Sequence, residues 1–263
     1  MRTFNWHRVS DEDDLLREPV PPIEPEPLPL EYDVRDDGEL ILATRRVPQE
    51  LAAGCLQEFE NVPRSAVFRG RGIRSASNTF GMSAPSNVLQ RVVPTRTVWF
   101  RDHPHAALER FATWAWQQLP VHQEQRFHDD YRIGESGWTS GIGNDTVPLH
   151  YHRDGNNVKE SWSGMLCTRA GTSGGDLHLP EYGKAVPVRD CSLIMFPGVK
   201  LVHGVTPIKK TLTGGFRYTF VFYPVRAFQG LGSLNDEITK QQARRTELED
   251  TLLDRHKAIG YRE

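Results

Sequence analysis

The sequence predicts a mainly β domain with flanking helices, an α+β chain whose second half is a sandwich or barrel. From Trp138 onward, short apolar runs at 138–142, 162–168, 185–188, 191–196, 201–205 and 216–223 are separated by turn residues. Short strands at this spacing build all-β sandwiches or barrels. The last run alternates strictly, with Arg217, Thr219 and Val221 on one face and Phe216, Tyr218, Phe220 and Phe222 on the other. Ahead of them, two stretches place apolar residues at helical spacing. No internal repeat is visible.

At 263 residues the chain can bury a good core, and one elaborated domain is expected. A formal net charge of -2 exerts no global pull toward nucleic acid or membrane. Cys55, Cys167 and Cys191 are widely spaced without a C-x-x-C, as in reduced thiols rather than a disulfide framework. No apolar run approaches the ~18 residues of a transmembrane helix. The first residues lack the apolar core of a signal peptide. The expectation is a soluble intracellular protein, cytoplasmic or nuclear, with no membrane contact.

Taken in order, residues 1–38 read as an acidic, proline-rich arm. Asp11, Glu12, Asp13 and Asp14 precede Pro19, Pro21, Pro22, Pro25, Pro27 and Pro29, a composition that stays extended or disordered. A partner-binding peptide is the alternative, and Leu16, Val20, Ile23 and Leu28 offer anchors along the domain. Residues 39–44 form the first strand. Pro48 opens a helix with Leu51, Ala52, Cys55, Leu56 and Phe59 on one face. Residues 64–78 carry Arg64, Arg69, Arg71 and Arg74 with Gly70 and Gly72, a flexible basic loop that either grips phosphates or is simply solvated.

A second helix starts near Pro104, with Leu108, Phe111, Ala112, Ala115 and Leu119 in register, and stops at Pro120. Its Trp114 and Trp116 read as packing groups rather than substrate platforms. Residues 123–131 suggest a short third helix. The tail, 233–259, is helical, with Ser233 and Asp236 placed as a capping box and a sparse stripe of Leu234, Ile238, Leu248 and Leu252. It packs outside, or forms a dimer contact. The chain thus divides into the arm, a domain over 39–230 with its β core from about 138, and a C-terminal helix over 231–263.

The chemistry centres on His152-x-Asp154, approached by an extended stretch and ended by Gly155-Asn156-Asn157. On a strand, His152 and Asp154 share a face and Arg153 points away. An imidazole beside a carboxylate makes two arms of a facial triad. A third is available in His203, within the apolar run 200–205. Fourteen positions later comes Arg217. A buried arginine requires an anion, and its planar fork suits a carboxylate. His150 shares the face of His152 and Asp154, so it either ligates in place of one of them or lines the pocket. His178 follows a Gly-Gly turn at a possible pocket wall.

Together, His152-x-Asp154, the distal His203 and Arg217-x-Thr219 resemble the signature of the Fe(II)/2-oxoglutarate-dependent oxygenases. Gly174-Gly175-Asp176-Leu177 and the run 188–196 resemble that superfamily's intervening turn and buried strand. The resemblance spans roughly residues 138–225 and implies a double-stranded β-helix, or jelly-roll, braced by the N-terminal helices. It also implies catalysis by an iron-dependent dioxygenase. His152, Asp154 and His203 would hold Fe(II), leaving positions for 2-oxoglutarate and O₂. Arg217 would pair with the distal carboxylate of 2-oxoglutarate, assisted by Thr219. Oxidative decarboxylation to succinate would drive hydroxylation of a C–H bond.

Within the superfamily, His152-Arg153-Asp154 followed by Asn157 resembles the TET/JBP group, which oxidises the 5-methyl group of pyrimidines in DNA. That implies DNA containing a methylated or modified pyrimidine as partner, with the base flipped into the pocket. Asn157, His150 and Asn144 would meet the base, and Arg71 and Arg74 the phosphates. The chain departs from that group in lacking a cysteine-rich zinc region, a basic balance and a histidine soon after the arginine strand. The segment from Gly-Gly-Asp-Leu to Phe-Pro-Gly is equally similar to prolyl 4-hydroxylase-like oxygenases, which makes an enzyme acting on a small molecule, amino acid or peptide side chain the alternative. A non-catalytic jelly-roll binding module is a third reading, opposed by the intact ligand set.

Overall fold

The apolar runs of the second half become strands buried on both faces, and these hold the domain together. In the computed structural model, residues 1–10, 12–63, 65–69, 73–86, 93–124 and 126–258 are described. In chain order the elements are β1 (Arg2–Asn5), β2 (Tyr32–Asp36), β3 (Glu39–Arg46), α1 (Gln49–Glu60), β4 (Ser65–Arg69), β5 (Ile73–Ser83), β6 (Thr95–Arg96), α2 (Val98–Asp102) and α3 (Ala106–Gln117). Then follow β7 (Ser140–Asp145), β8 (Ser163–Ala170), β9 (Thr172–Gly174), β10 (Leu177–Leu179), β11 (Lys184–Val186), β12 (Ser192–Phe196), β13 (Gly204–Val205), β14 (Ile208–Lys210), β15 (Phe216–Tyr223) and α4 (Leu234–Ala258).

The major sheet runs β1-β2-β3-β12-β8-β15-β7-β5-β4, with β6 on β5; β11-β10-β13 and β14-β9 form two smaller sheets. Alternation along β8, β12 and β15 sorts the side chains into two cores. Leu166, Leu193, Met195, Phe220 and Phe222 meet Phe59 of α1 and Phe111 of α3 on the outer face. Met165, Cys167, Ile194 and Phe196 meet Leu177, Leu179, Val186 and Leu201 on the inner face. That inner layer is the interior of the jelly-roll. Trp116 rests edge-on against Trp138, with ring centroids 5.3 Å apart, as a packing group.

Several expectations need correction. The arm lies along the domain, as its apolar anchors allow, but it also joins the sheet: β1 pairs in parallel with β2, and β2 with β3, so residues 39–46 form the third strand and not the first. Trp6, Tyr32 and Val34 are buried, and Val20 and Leu28 anchor the extended stretch between them. Acid and proline dominate the composition, but a few well-placed apolar residues suffice when a finished sheet offers an edge. The basic loop at 64–78 is largely a hairpin, β4 with β5, at the far edge of the sheet. Its short Ala66-Val67-Phe68 run suits a strand, a signal outweighed by the flanking glycines and arginines.

The helix predicted from Pro104 is observed as α3, preceded by the five-residue α2. The third helix reduces to a single turn at Asp129–Tyr131. Phe127 and Tyr131 are too few to bury a helical face, and Gln123 instead accepts from Trp162 N at 3.3 Å. The C-terminal helix has the predicted reciprocal cap, Ser233 N to Asp236 Oδ2 and Asp236 N to Ser233 Oγ, both 3.1 Å. Leu234 packs beside Phe228, whereas Leu248 is 65% exposed.

Candidate active site

The segment bearing His152 and Asp154 is held by a single antiparallel bridge, His152 to His203, rather than by a regular strand. His152 N donates to His203 O at 2.9 Å and His203 N to His152 O at 3.0 Å. One step on, Asp154 N donates to Gly198 O at 2.9 Å, and Asn157 N closes a turn onto Asp154 O at 3.0 Å. The turn ends the ladder after one pair, which is why the predicted strand is absent. The predicted strand around His203 is likewise cut to Gly204–Val205. The expected facing persists, since Arg153 turns away from His152 and Asp154 toward Asp13 and Glu181.

His152, Asp154 and His203 offer ligand atoms that all lie within 4.8 Å of one another. Asp154 Oδ1 is 3.8 Å from His152 Nε2 and 3.9 Å from His203 Nε2. Each imidazole is oriented by its own backbone: Nδ1 of His152 donates to His150 O at 2.8 Å, and Nδ1 of His203 to Leu201 O at 2.9 Å. Carbonyl oxygens only accept, so the proton sits on Nδ1 and both Nε2 lone pairs face the carboxylate. Burial, reinforced by the neighbouring His152, pushes the His203 pKa well below its ordinary value and keeps the ring neutral. The other carboxylate oxygen, Oδ2, accepts from Asn157 Nδ2 and Ser163 Oγ, both at 3.3 Å. Gly198 lies so close to Oδ2 that a Cβ there would collide with it.

These three residues stand at a cavity of about 320 Å³, also lined by Asn144, Asn157, Phe196, Val221 and Tyr223. From Val221 the inner face of β15 leads through Thr219 to Arg217, which is 1% exposed. Its Nε and Nη2 are buried without a hydrogen-bond partner among the described residues. Burial lowers the Arg217 pKa below its ordinary value. Gly175, at φ +73°, leaves room for this side chain; a Cβ there would lie 2.6 Å from Arg217 Nε. Asn144 links the neighbouring strands, accepting from Ser77 Oγ at 2.9 Å and donating to Thr219 Oγ1 at 3.4 Å.

The other sequence candidates fall in different places. Asn157 and Asn144 line the cavity, but both amides are engaged as described. The His150 ring is bonded through Nδ1 to Arg17 O at 2.9 Å and is not in the ligand cluster. His178 meets Tyr151 Oη at 2.7 Å through Nδ1, beneath the ligand segment. Arg71 lies outside the described residues; Arg74 pairs with Phe68 in the hairpin, and its side chain lies outside them. Ser163 and Glu181 carry no motif and were not foreseen, whereas Gly198 was visible only as part of Phe-Pro-Gly.

No model of a known protein family matches the sequence, and no curated protein matches it. Among solved structures the chain is similar to NgTET1 in complex with 5mC DNA, at 17% identity over 81% of this chain and 84% of that one, with a TM-score of 0.57. It is also similar to an oxidoreductase of the 2OG-Fe(II) oxygenase family from Burkholderia pseudomallei, at 14% identity over 71% and 86%, with a TM-score of 0.49. At these identities the likeness is one of fold. The chain has the jelly-roll fold that its sequence resemblance implies, and it shares that fold with NgTET1.

Proposed function

We propose that the chain is an Fe(II)- and 2-oxoglutarate-dependent dioxygenase that hydroxylates the 5-methyl group of a pyrimidine base in DNA. The observation that carries the enzyme reading is a two-histidine, one-carboxylate cluster opening on a cavity whose inner strand leads to an unsatisfied buried arginine. Neutral imidazoles and one carboxylate suit Fe(II) and leave a face free. The orphaned Arg217 suits a carboxylate, with Thr219 beside it as a hydroxyl donor. When bound, iron and 2-oxoglutarate supply oxygen activation coupled to decarboxylation to succinate.

The protein's own part is placement. The backbone carbonyls of His150 and Leu201 hold both ring tautomers, and Asn157 with Ser163 turns Oδ1 of Asp154 toward the histidines. Met165, Leu177, Phe196 and Val221 give the cavity apolar walls that limit water. In the DNA reading, Asn157 and Asn144, which line the cavity, serve the base side, while Arg71 and Arg74 are the candidates to meet phosphates. The H-R-D-x-x-N pattern and the fold shared with a protein in complex with 5mC DNA support it.

A second reading, hydroxylation of a small molecule, amino acid or peptide side chain, is favoured by two observations. The Asn157 amide already bonds Asp154 and Ser163, and the chain's net charge is -2. Incubation with Fe(II), 2-oxoglutarate and ascorbate, with and without methylated double-stranded DNA, separates the two. A digested nucleoside heavier by one oxygen, absent with Asp154→Ala, supports DNA as substrate. Succinate formed at a rate indifferent to DNA transfers the proposal to the second reading.

A further inference from the structure

The outer side of the ligand segment is covered by the N-terminal arm. Arg17 N donates to Tyr151 O at 2.8 Å, and Tyr151 N donates to Glu18 O at 3.0 Å. Tyr151 precedes His152 directly. Val20 is buried against Tyr151 and Val202, the residue before His203, and Leu15 and Leu16 pack on the same cluster. Gly204, the residue after His203, approaches Val20 so closely that a Cβ there would collide with it. The arm therefore touches the chain neighbours of both histidines.

Arg153 lies between the other two ligand positions in sequence and closes this contact with charge. Its guanidinium pairs with Asp13 of the arm and, at 2.9 Å, with Glu181, whose side chain is 1% exposed. Its Nε donates to Lys200 O at 3.2 Å, on the segment leading to His203. Glu181 also accepts from Arg8 at 3.1 Å, while its backbone oxygen accepts from Val9 N at 2.8 Å. A buried carboxylate shared by two guanidinium groups ties the arm to the ligand segment.

We propose that residues 8–10 and 12–20 form a clamp on the metal centre, locked by Arg153, which acts as a positioning residue for His152 and Asp154. The inference rests on the metal reading above. An arm fastened to the ligand segment through Arg153 makes ligand geometry, and hence metal affinity, depend on residues more than 130 positions away in sequence.

The test uses the full chain and Mn(II). Mn(II) is titrated into wild type, Arg153→Gln, Arg153→Lys and Asp13→Asn, with bound metal read by electron paramagnetic resonance. Arg153→Gln is expected to weaken Mn(II) binding by about 10- to 100-fold, as loss of a ligand-orienting contact does. Asp13→Asn should weaken it less, Arg153→Lys should restore part of it, and the spectrum of bound Mn(II) should change shape. The double variant should be no worse than Arg153→Gln, because the two residues share one contact. In parallel, trypsin cleavage after Arg17 is timed on metal-free protein; it should quicken in Arg153→Gln and Asp13→Asn.

Unchanged Mn(II) affinity in Arg153→Gln, with faster cleavage, would show an arm that is held but positions nothing, and overturns the proposal. Wild type that binds no Mn(II) overturns the metal reading itself, and the cleavage rates then still report the clamp. If Arg153→Gln does not fold, the exposed Asp13 decides through Asp13→Asn.

Discussion

Replacing Arg217 with methionine should move stability and co-substrate binding in opposite directions. The guanidinium is buried, with Nε and Nη2 unsatisfied among the described residues. An unpaired buried polar atom costs about 1–3 kcal/mol, more when charged. Methionine keeps most of the aliphatic packing and removes that cost, so the metal-free variant should gain about 1–3 kcal/mol, or about 2–6 °C in melting temperature for a chain of this size. Binding runs the other way. Two charge-assisted hydrogen bonds of about 1.5–3 kcal/mol each are lost, which weakens 2-oxoglutarate by roughly 10²- to 10⁴-fold. Thermal unfolding with and without Mn(II) and graded 2-oxoglutarate measures both. A variant that melts lower without ligand, yet responds to 2-oxoglutarate like wild type, would refute the assignment of Arg217.

Three further outcomes follow from the ligand cluster. Asp154→Ala should abolish Mn(II) binding and leave the unfolding curve of the metal-free protein nearly unchanged, because its side chain is at a cavity and 21% exposed. Gly198→Ala should push Asp154 Oδ2 off Asn157 and Ser163 and weaken metal binding about tenfold or more while the fold persists, read by the same titration. Because burial holds the His203 pKa below the unfolded value of about 6.5, the unfolded chain takes up its proton first as pH falls. The metal-free protein should therefore keep its full stability above about pH 6.5 and lose about 2 kcal/mol by pH 5, a loss absent in His203→Gln when denaturant midpoints are compared.

What was legible in the sequence depended on period and motif. The alternation in β15 sorts Arg217, Thr219 and Val221 from the aromatic face, because residues of opposite polarity demand opposite sides of a sheet. His152, Asp154 and His203 could be grouped because coordination chemistry needs that set of side chains. The reciprocal Ser233–Asp236 cap was readable because it is purely local. The arm's pairing was not, because it depends on β2 docking on β3 and on a buried carboxylate, Glu181, far along the chain. The support of Asp154 by Ser163 was equally invisible, since serine on a strand has no signature until the fold brings it to a carboxylate. The arginine hairpin was read by composition, and the apolar run Ala66-Val67-Phe68 was the better guide.

The central claim is that His152, Asp154 and His203 hold the iron of a 2-oxoglutarate oxygenase. It is tested most directly by quantifying succinate from 2-oxoglutarate in air, with and without Fe(II), for wild type and Asp154→Ala. The account predicts iron-dependent succinate from wild type and none from the variant. Equal succinate from both proteins, or none from wild type when methylated DNA, small amino acids and peptides are each supplied, would contradict it.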